Sequence, residues 1–379
     1  MNNPANTITQ PERLQSLDLF RGLVMCLLIA DGAGIYRALR GLAGEGGLFG
    51  GLMTQFTHHP WHGLRFWDLV QPAFMFIVGV AMVYSLSKRF ERGDSWKTVF
   101  KHIGVRCLML FILGTGIQCF YKGQMYWGLW NVLAQLSGTI LITFLIFRLS
   151  WKQQLAISIG LILLTDITYR VFPLEGFNQP YTPDKNFGSW MDLVLMGHLS
   201  GGHWIAINFI PTAAHTIWGS LVGQLLKSHL PSTEKLRTIV VAGAVGLVIG
   251  YLLNWGFGSE ALSVPIIKRI CTGSFVYASG GWCLLILALF YYLIDIKAWK
   301  PSWFLIIHVV GMNSIFIYLV SGTMSSSWLR PHVAIFTEGI LGSVHVGENW
   351  IHLATALISW FVLWYLCYWL YQRKIFLRL

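Results

Sequence analysis

Apolar residues run along this chain in stretches of about twenty, divided by short polar connectors and three longer ones. A helix needs about 20 residues to cross a bilayer. Only helices or closed barrels satisfy their backbone polar groups there, and runs this long point to helices. The pattern predicts ten spans: 17–36, 66–86, 103–120, 125–147, 154–172, 203–226, 238–255, 272–294, 303–320 and 350–371. Periodicity within them is weak, as expected where a helix is apolar on all sides. The chain is therefore read as all-α, a polytopic transmembrane helical bundle, with residues 1–379 forming one integral membrane unit.

The connectors set the orientation. Lys and Arg accumulate on cytoplasmic loops. With the N-terminus inside, sixteen of them fall on cytoplasmic segments and nine on outer ones, although the outer loops are longer. Both termini are expected in the cytoplasm. Three large outer loops follow, at about 37–65, 173–202 and 321–349, rich in Gly, Pro, His and aromatic residues. Long connectors of this kind are often lids or binding loops. The segment 256–272, with Pro265 and the Lys268-Arg269 pair, reads as re-entrant or interfacial. No internal repeat is evident. The first apolar run is long enough to remain as a span rather than be removed as a signal peptide.

Composition narrows the function classes. Only 11% of residues are charged and 55% are apolar, against roughly 25% charged in soluble domains. The 18 Trp and 14 Tyr suit interfacial belts. The net charge of +11 is spread over short connectors. It forms no basic stripe interleaved with aromatics, so nucleic acid is not an expected partner, and the anionic membrane surface suffices to explain it. The six cysteines, mostly inside apolar runs, read as small buried hydrophobes rather than disulfides.

The polar residues beside these runs need a reason. Thr57-His58-His59-Pro60-Trp61-His62-Gly63, followed by Asp68, puts three imidazoles and a carboxylate where the chain re-enters the membrane. One reading is a wet loop of solvated histidines. The other is a fixed backbone course, since Pro60 restricts its predecessor and Gly63 permits close approach. Asp68 would then orient one ring, the pattern of an activated base, with an imidazole suited to proton transfer near neutral pH. Three histidines can also ligate zinc, but no strong metal motif accompanies them and no metal is expected.

Asp18 and Arg21 are three apart and share a helix face. They read either as an ion pair fixing the end of the first span or as an arginine turned toward an anion at the cytoplasmic mouth. Asp31, further along the same run, points to a polar cavity. Asn208, His215, Asn254, His308 and Asn313 add polarity to the later runs. Some such groups serve helix–helix hydrogen bonds, but together they argue for a water-accessible interior.

The combination Ser16-Leu17-Asp18-Leu19-Phe20-Arg21-Gly22, then His58-His59-Pro60-Trp61-His62-Gly63 with Asp68, Pro72, Phe76 and Gly79, resembles the heparan-alpha-glucosaminide N-acetyltransferase family and its bacterial relatives. Val310-Gly311-Met312-Asn313-Ser314-Ile315 with Tyr318 is similar to a late motif of that group, and Ile267-Lys268-Arg269 with Thr272-Gly273-Ser274 to another. The resemblance implies a polytopic acyltransferase in the bacterial inner membrane. It would accept acetyl-CoA from the cytoplasmic side and pass the acetyl group to the amine of a terminal glucosamine outside. The family's active histidine falls on His58 and its aspartate on Asp68. Asp31 stands where an asparagine is commoner. A small amino sugar or cell-envelope glycan is a more natural acceptor here than heparan, and a homodimer is compatible with the reading.

On this basis Arg21, Lys101 and Arg106 are the candidates for the phosphates of the acyl donor. Asn254 and Asn313 are candidates for the developing oxyanion, and Trp61, His62 and Asp31 for the acceptor. His58 would either take the proton of the attacking amine or carry the acetyl group covalently. The alternative is a proton-coupled transporter of an amino sugar or related solute, which would also place Asp, Arg and His within the membrane. A non-catalytic scaffold is a third class.

Overall fold

The computed structural model describes residues 14–44, 47–299 and 301–377. These residues are helical throughout their regular parts, with no strand among them. In chain order the helices are α1 (Gln15–Ala33), α2 (Ile35–Ala43), α3 (Gly47–Thr54), α4 (Val70–Glu91, led in by a short 3₁₀ turn at Phe66–Leu69) and α5 (Trp96–Lys122). Next come α6 (Val132–Leu145), α7 (Trp151–Val171), α8 (Phe187–Met196), α9 (Phe209–Lys227) and α10 (Ser232–Trp255). The last are α11 (Gly273–Phe290), α12 (Phe304–Met312), α13 (Ser314–Val320), α14 (Arg330–Ser343) and α15 (Glu348–Gln372).

Helices stand at all ten expected positions, but they are unequal. Six are long and apolar enough to cross a membrane, and two bent pairs bring that number to eight. The expected spans 125–147 and 203–226 correspond to α6, of 14 residues, and α9, of 19. Neither passes on length and hydropathy together. Among the cations counted on the cytoplasmic side, Arg13, Lys300 and Arg378 lie outside the described residues.

The bundle has a closely packed centre and an apolar outside. Met75, Phe76, Ile77 and Val80 of α4 are essentially inaccessible, as are Ala213, Ala214, His215, Thr216 and Ile217 of α9. The α4–α9 pair can sit this close because of glycine. A Cβ on Gly79 would lie 2.0 Å from the Thr216 carbonyl oxygen, and one on Gly219 would lie 2.1 Å from that of Phe76. Small residues of this kind let helix backbones approach in membranes. The peripheral helices expose apolar side chains instead: Leu163, Leu164 and Ile167 on α7, and Val241, Val245 and Val248 on α10. Apolar surface on this scale marks contact with lipid or partner helices. All six cysteines are free.

Two breaks shape the site. Gly34 (φ +87°) bends the chain by 66° between α1 and α2. Asn313 interrupts α12 and α13, and the helices beyond turn by 83°. Its amide is used on both sides, with Nδ2 donating to the Ile375 carbonyl at 3.1 Å and Oδ1 accepting from Leu377 N at 2.9 Å.

The segment 321–349, expected as a loop, is mostly helical. It continues from α13 through a wide π-helical stretch, Ser321–Leu329, into α14. The cause is local. Pro331 falls in the first turn of α14, where its missing N–H costs little. Thr323 and Ser327 hydroxyls donate to the carbonyls four residues before them. The segments 37–65 and 173–202 likewise hold the short helices α2 and α3, and α8.

Candidate active site

The stretch between α3 and α4 is irregular but tightly tied. The Thr57 hydroxyl donates to the Thr54 carbonyl at 2.8 Å. The Arg65 guanidinium donates to Thr57 Oγ1 at 2.6 Å and to the His58 carbonyl at 3.0 Å. Gly63 adopts φ +138°, and the His59 ring packs on it so closely that a Cβ there would sit 2.6 Å from His59 Nε2. Gly63 N donates to the Ile266 carbonyl at 2.8 Å, Arg269 Nε to the Pro60 carbonyl at 3.2 Å, and Trp61 Nε1 to the Tyr181 carbonyl at 2.7 Å. The histidine loop is thus held by segments more than a hundred residues away. These contacts answer the sequence alternative of a freely solvated loop: its backbone course is fixed.

Asp68 organises this loop. It is fully buried in the turn that leads into α4. Its Oδ2 accepts from His59 N at 3.1 Å and Arg65 N at 3.0 Å, and its Oδ1 lies 2.8 Å from His58 Nδ1. Lys268 completes a triangle, with Nζ 3.1 Å from His58 Nδ1 and 3.6 Å from Asp68 Oδ1. Two proton arrangements fit these distances. Either Nδ1–H donates to Asp68 with the ammonium alongside, or Lys268 donates to a bare Nδ1. The shorter His58–Asp68 contact and the acceptor-only chemistry of a carboxylate favour the first. Nε2 is then the unprotonated ring nitrogen, and it makes no hydrogen bond among the described residues.

The electrostatics agree. Burial, and next the Lys268 charge, lower the His58 pKa from its usual value; Asp68 opposes them. A neutral imidazole therefore prevails at pH 7. Burial likewise lowers Lys268 to about 8, with Asp68 again opposing. Trp204 stands against both groups, its ring edge-on to His58 at 5.2 Å and facing Lys268 Nζ at 5.6 Å.

His58, Trp204 and Lys268 line a cavity of ≈ 470 Å³ together with Gln71, Asn131 and Tyr318. Leu28, Tyr121 and Tyr318 form a wall common to it and to a second cavity of ≈ 370 Å³, where Asp31 lies with Arg37 and Arg330. The two lie side by side across that wall.

The remaining candidates divide. Trp61 and His62 belong to the histidine loop, Trp61 edge-on to His203 at 6.0 Å and His62 exposed. Asp31 is in the adjoining cavity rather than beside His58. Arg21 donates to Asp18 Oδ1 at 2.7 Å, the ion-pair reading of that motif. Lys101 is exposed on α5, and Arg106 on the same helix has a buried Nε without a hydrogen-bond partner. The structure does not bring Asn254 or Asn313 to the cavity. Asn254 Oδ1 holds Ile266 N at 2.9 Å and so fastens the 263–272 segment, while Asn313 is occupied by the C-terminal tail.

Sequence reasoning missed Lys268 as a partner of the dyad and missed Trp204 altogether. The signal for Lys268 was present: a cation beside Pro265 in an apolar setting calls for a buried partner. Among the described residues no group of three His, Cys, Asp or Glu side chains is placed to hold a metal ion.

No family model matches the chain. It is 24% identical to human heparan-alpha-glucosaminide N-acetyltransferase over 97% of its own length and 60% of the human protein's. It is 23% identical to the mouse protein of that name, over 100% of its own length and 63% of the other's. The chain thus spans about 60% of the length of these curated relatives. Over nearly its whole length the chain is thus similar in sequence to the human and mouse proteins of that name.

Proposed function

We infer that this chain is a transmembrane N-acetyltransferase. It moves an acetyl group from acetyl-CoA to the amine of an amino sugar, with His58 Nε2 as the reacting base. The observation that carries this reading is the pairing of His58 Nδ1 with the fully buried Asp68 at the wall of a cavity. The names of the two relatives point to the same chemistry.

The geometry supports a direct route. Asp68 fixes the ring so that Nε2 carries the lone pair, as in activated-base arrangements generally. The acceptor amine attacks the thioester carbonyl while Nε2 removes its proton. The new C–N bond forms, the C–S bond breaks, and the coenzyme thiolate leaves, taking the proton from His58. Lys268 stands 3.1 Å from Nδ1, and its positive charge acts through space on the negative charge that develops on the carbonyl oxygen. The covalent route differs in one step: Nε2 attacks the thioester first and the acetyl-imidazole then meets the amine.

The donor side draws on Arg21, Lys101 and Arg106. At 1.5 Å per residue, Arg21 is ~10 Å along α1 from Leu28 in the cavity wall. Arg106 is ~18 Å and Lys101 ~26 Å along α5 from Gln118, which lines the His58 cavity. Phosphates held there would leave the thioester to reach His58 along the bundle axis. Such a donor arrives from the cytoplasm and the acceptor from the periplasm of a bacterial inner membrane, with both termini cytoplasmic.

The test is purified protein with acetyl-CoA and a panel of amino sugars, comparing wild type with His58→Ala. Acetyl transfer that survives the substitution removes His58 from the reaction. Brief exposure to radioactive acetyl-CoA without acceptor separates the two routes, since only the covalent one traps labelled protein. Amino-sugar counterflow into proteoliposomes without coenzyme would replace the enzyme reading by the transporter one.

A further inference from the structure

Beside the His58 cavity lies a second, cationic one that the chemistry above does not use. Arg37 on α2 and Arg330 at the start of α14 line it, and both also line a third cavity of ≈ 470 Å³. Among the described residues neither guanidinium lies within ion-pairing distance of a carboxylate. Arg40, one turn beyond Arg37, has a buried Nη1 without a hydrogen-bond partner. The chain leaves room for this arrangement: a Cβ on Gly34 would sit 2.6 Å from Arg330 Nη1, so the glycine that bends α1 from α2 also seats the arginine. Facing the arginines are the Asp31 carboxylate and the hydroxyl-bearing residues Ser321 and Ser326.

Guanidinium groups that meet at a cavity with no carboxylate in ion-pairing distance suit a phosphate or carboxylate, which they bind with paired, charge-assisted hydrogen bonds. The shared wall of Leu28, Tyr121 and Tyr318 joins this cavity to the one holding His58. We propose that Arg37 and Arg330 bind an anionic group on the acceptor, so that the preferred substrate is an amino sugar bearing a phosphate or carboxylate. Asp31 accepts hydrogen bonds from its ring hydroxyls while the amine extends past Tyr121 and Tyr318 to His58. This rests on the acetyltransferase reading for the reaction, though not for the binding.

The experiment compares glucosamine 6-phosphate with glucosamine as acceptors for the full chain in nanodiscs of zwitterionic lipid. Thermal shift is recorded on the same samples without acetyl-CoA. The expected result is a kcat/KM ratio of about tenfold or more in favour of the phosphate, equivalent to ~1.4 kcal/mol. That ratio should fall toward one in Arg37→Gln and Arg330→Gln, with Arg330→Lys intermediate. The thermal shift produced by the sugar phosphate should disappear in the same order. Equal use of the two acceptors by the wild type overturns the proposal. So does a rise in the KM for acetyl-CoA in the variants, which would assign the arginines to the donor. If inorganic phosphate alone reproduces the shift, or anionic phospholipid in the disc abolishes it, the site belongs to free phosphate or to a lipid headgroup and the acceptor assignment fails. A shift that depends on Arg330 in a protein that transfers no acetyl group keeps the anion site and overturns the acetyltransferase reading instead. A variant that fails to fold is recognised by its lowered melting temperature, and Arg330→Lys then carries the comparison.

Discussion

Replacing Asp68 by Asn tests the site at its most constrained point. The side chain keeps its shape, but one oxygen becomes an NH2 group. Oδ2 already receives two backbone N–H groups, from His59 at 3.1 Å and Arg65 at 3.0 Å. An NH2 cannot accept from them, so the amide oxygen must take that place. The NH2 then faces His58 Nδ1, formerly 2.8 Å from a carboxylate oxygen. Nδ1 must now accept, and the ring proton moves to Nε2, where the base is needed. The wrong-tautomer effect of the corresponding substitution in a serine protease triad is about 10⁴-fold in kcat, and a loss of that order is expected here.

A second effect accompanies the first. Lys268, with 5% of its surface exposed, loses the carboxylate 3.6 Å away. Leaving a buried charge without its partner costs about 3–5 kcal/mol. The melting temperature should fall, and Lys268 should titrate lower than in the wild type. The assay is acetyl transfer to an amino sugar from pH 5 to 9, with thermal unfolding of the same preparations. Asp68→Glu, which keeps the charge but shifts the oxygen, separates tautomer from charge: it should retain most of the melting temperature while losing rate. If Asp68→Asn retains kcat within about threefold, the carboxylate does not set the ring's proton, and the base assignment is refuted.

In the wild type, kcat/KM should rise on the acid side with an apparent pKa below the ordinary imidazole value, because burial and Lys268 lower that of His58; an acid limb above pH 7 would contradict this. Rate should decline again as Lys268 loses its proton near pH 8, and Lys268→Gln should be slow yet lack that alkaline limb. Stability carries the opposite sign: between about pH 8 and 10.5 the unfolded chain holds the lysine proton that the folded chain has released, so wild-type stability should rise across this window relative to Lys268→Gln, as pH-dependent melting would show. Gly219→Ala puts a Cβ 2.1 Å from the Phe76 carbonyl oxygen, and the forced separation of α4 and α9 should cost about 1–3 kcal/mol, read as a lowered melting temperature in detergent. Gly63→Ala should slow transfer by displacing the His59 ring and straining a φ of +138°, and unchanged kcat would show that the loop tolerates movement.

Helix positions, and the nearness of Asp68 to the histidine loop, were legible in the sequence for physical reasons, while the choice of His58 among the three rings came from the family resemblance. A run of apolar residues long enough for a bilayer has few other structures open to it. An aspartate ten residues after a histidine, in the turn before a helix, lies within reach of the histidine loop, although contacts from distant segments also hold that loop. What was not legible depends on contacts between distant segments. Lys268 is 210 residues from His58 and meets it only because the 263–272 stretch folds back under the histidine loop. Asn254 and Asn313 look like free amides in the sequence, yet each is spent on a backbone that the fold brings to it. The 321–349 helix was hidden by its hydroxyl residues, of which Thr323 and Ser327 bond back to the helix carbonyls rather than compete with them.

The same contacts show how the group proposed to react can stand on a loop. Loops usually move more than the helices they join, and an imidazole that must keep one tautomer cannot. Here the loop is clamped by Asp68 from the turn that leads into α4, by Ile266 and Arg269 from the segment before α11, and by Tyr181 beyond α7. The 263–272 segment is fastened in turn by Asn254, by Thr272 and by Asp166, which receives Gly273 N at 3.0 Å. Each clamp is a polar group that would be costly to leave unpaired at this depth. Asn254, Thr272 and Asp166, which do not line the cavity, are therefore needed by groups that do, and removing Asn254 or Asp166 should loosen Lys268 and His58 together.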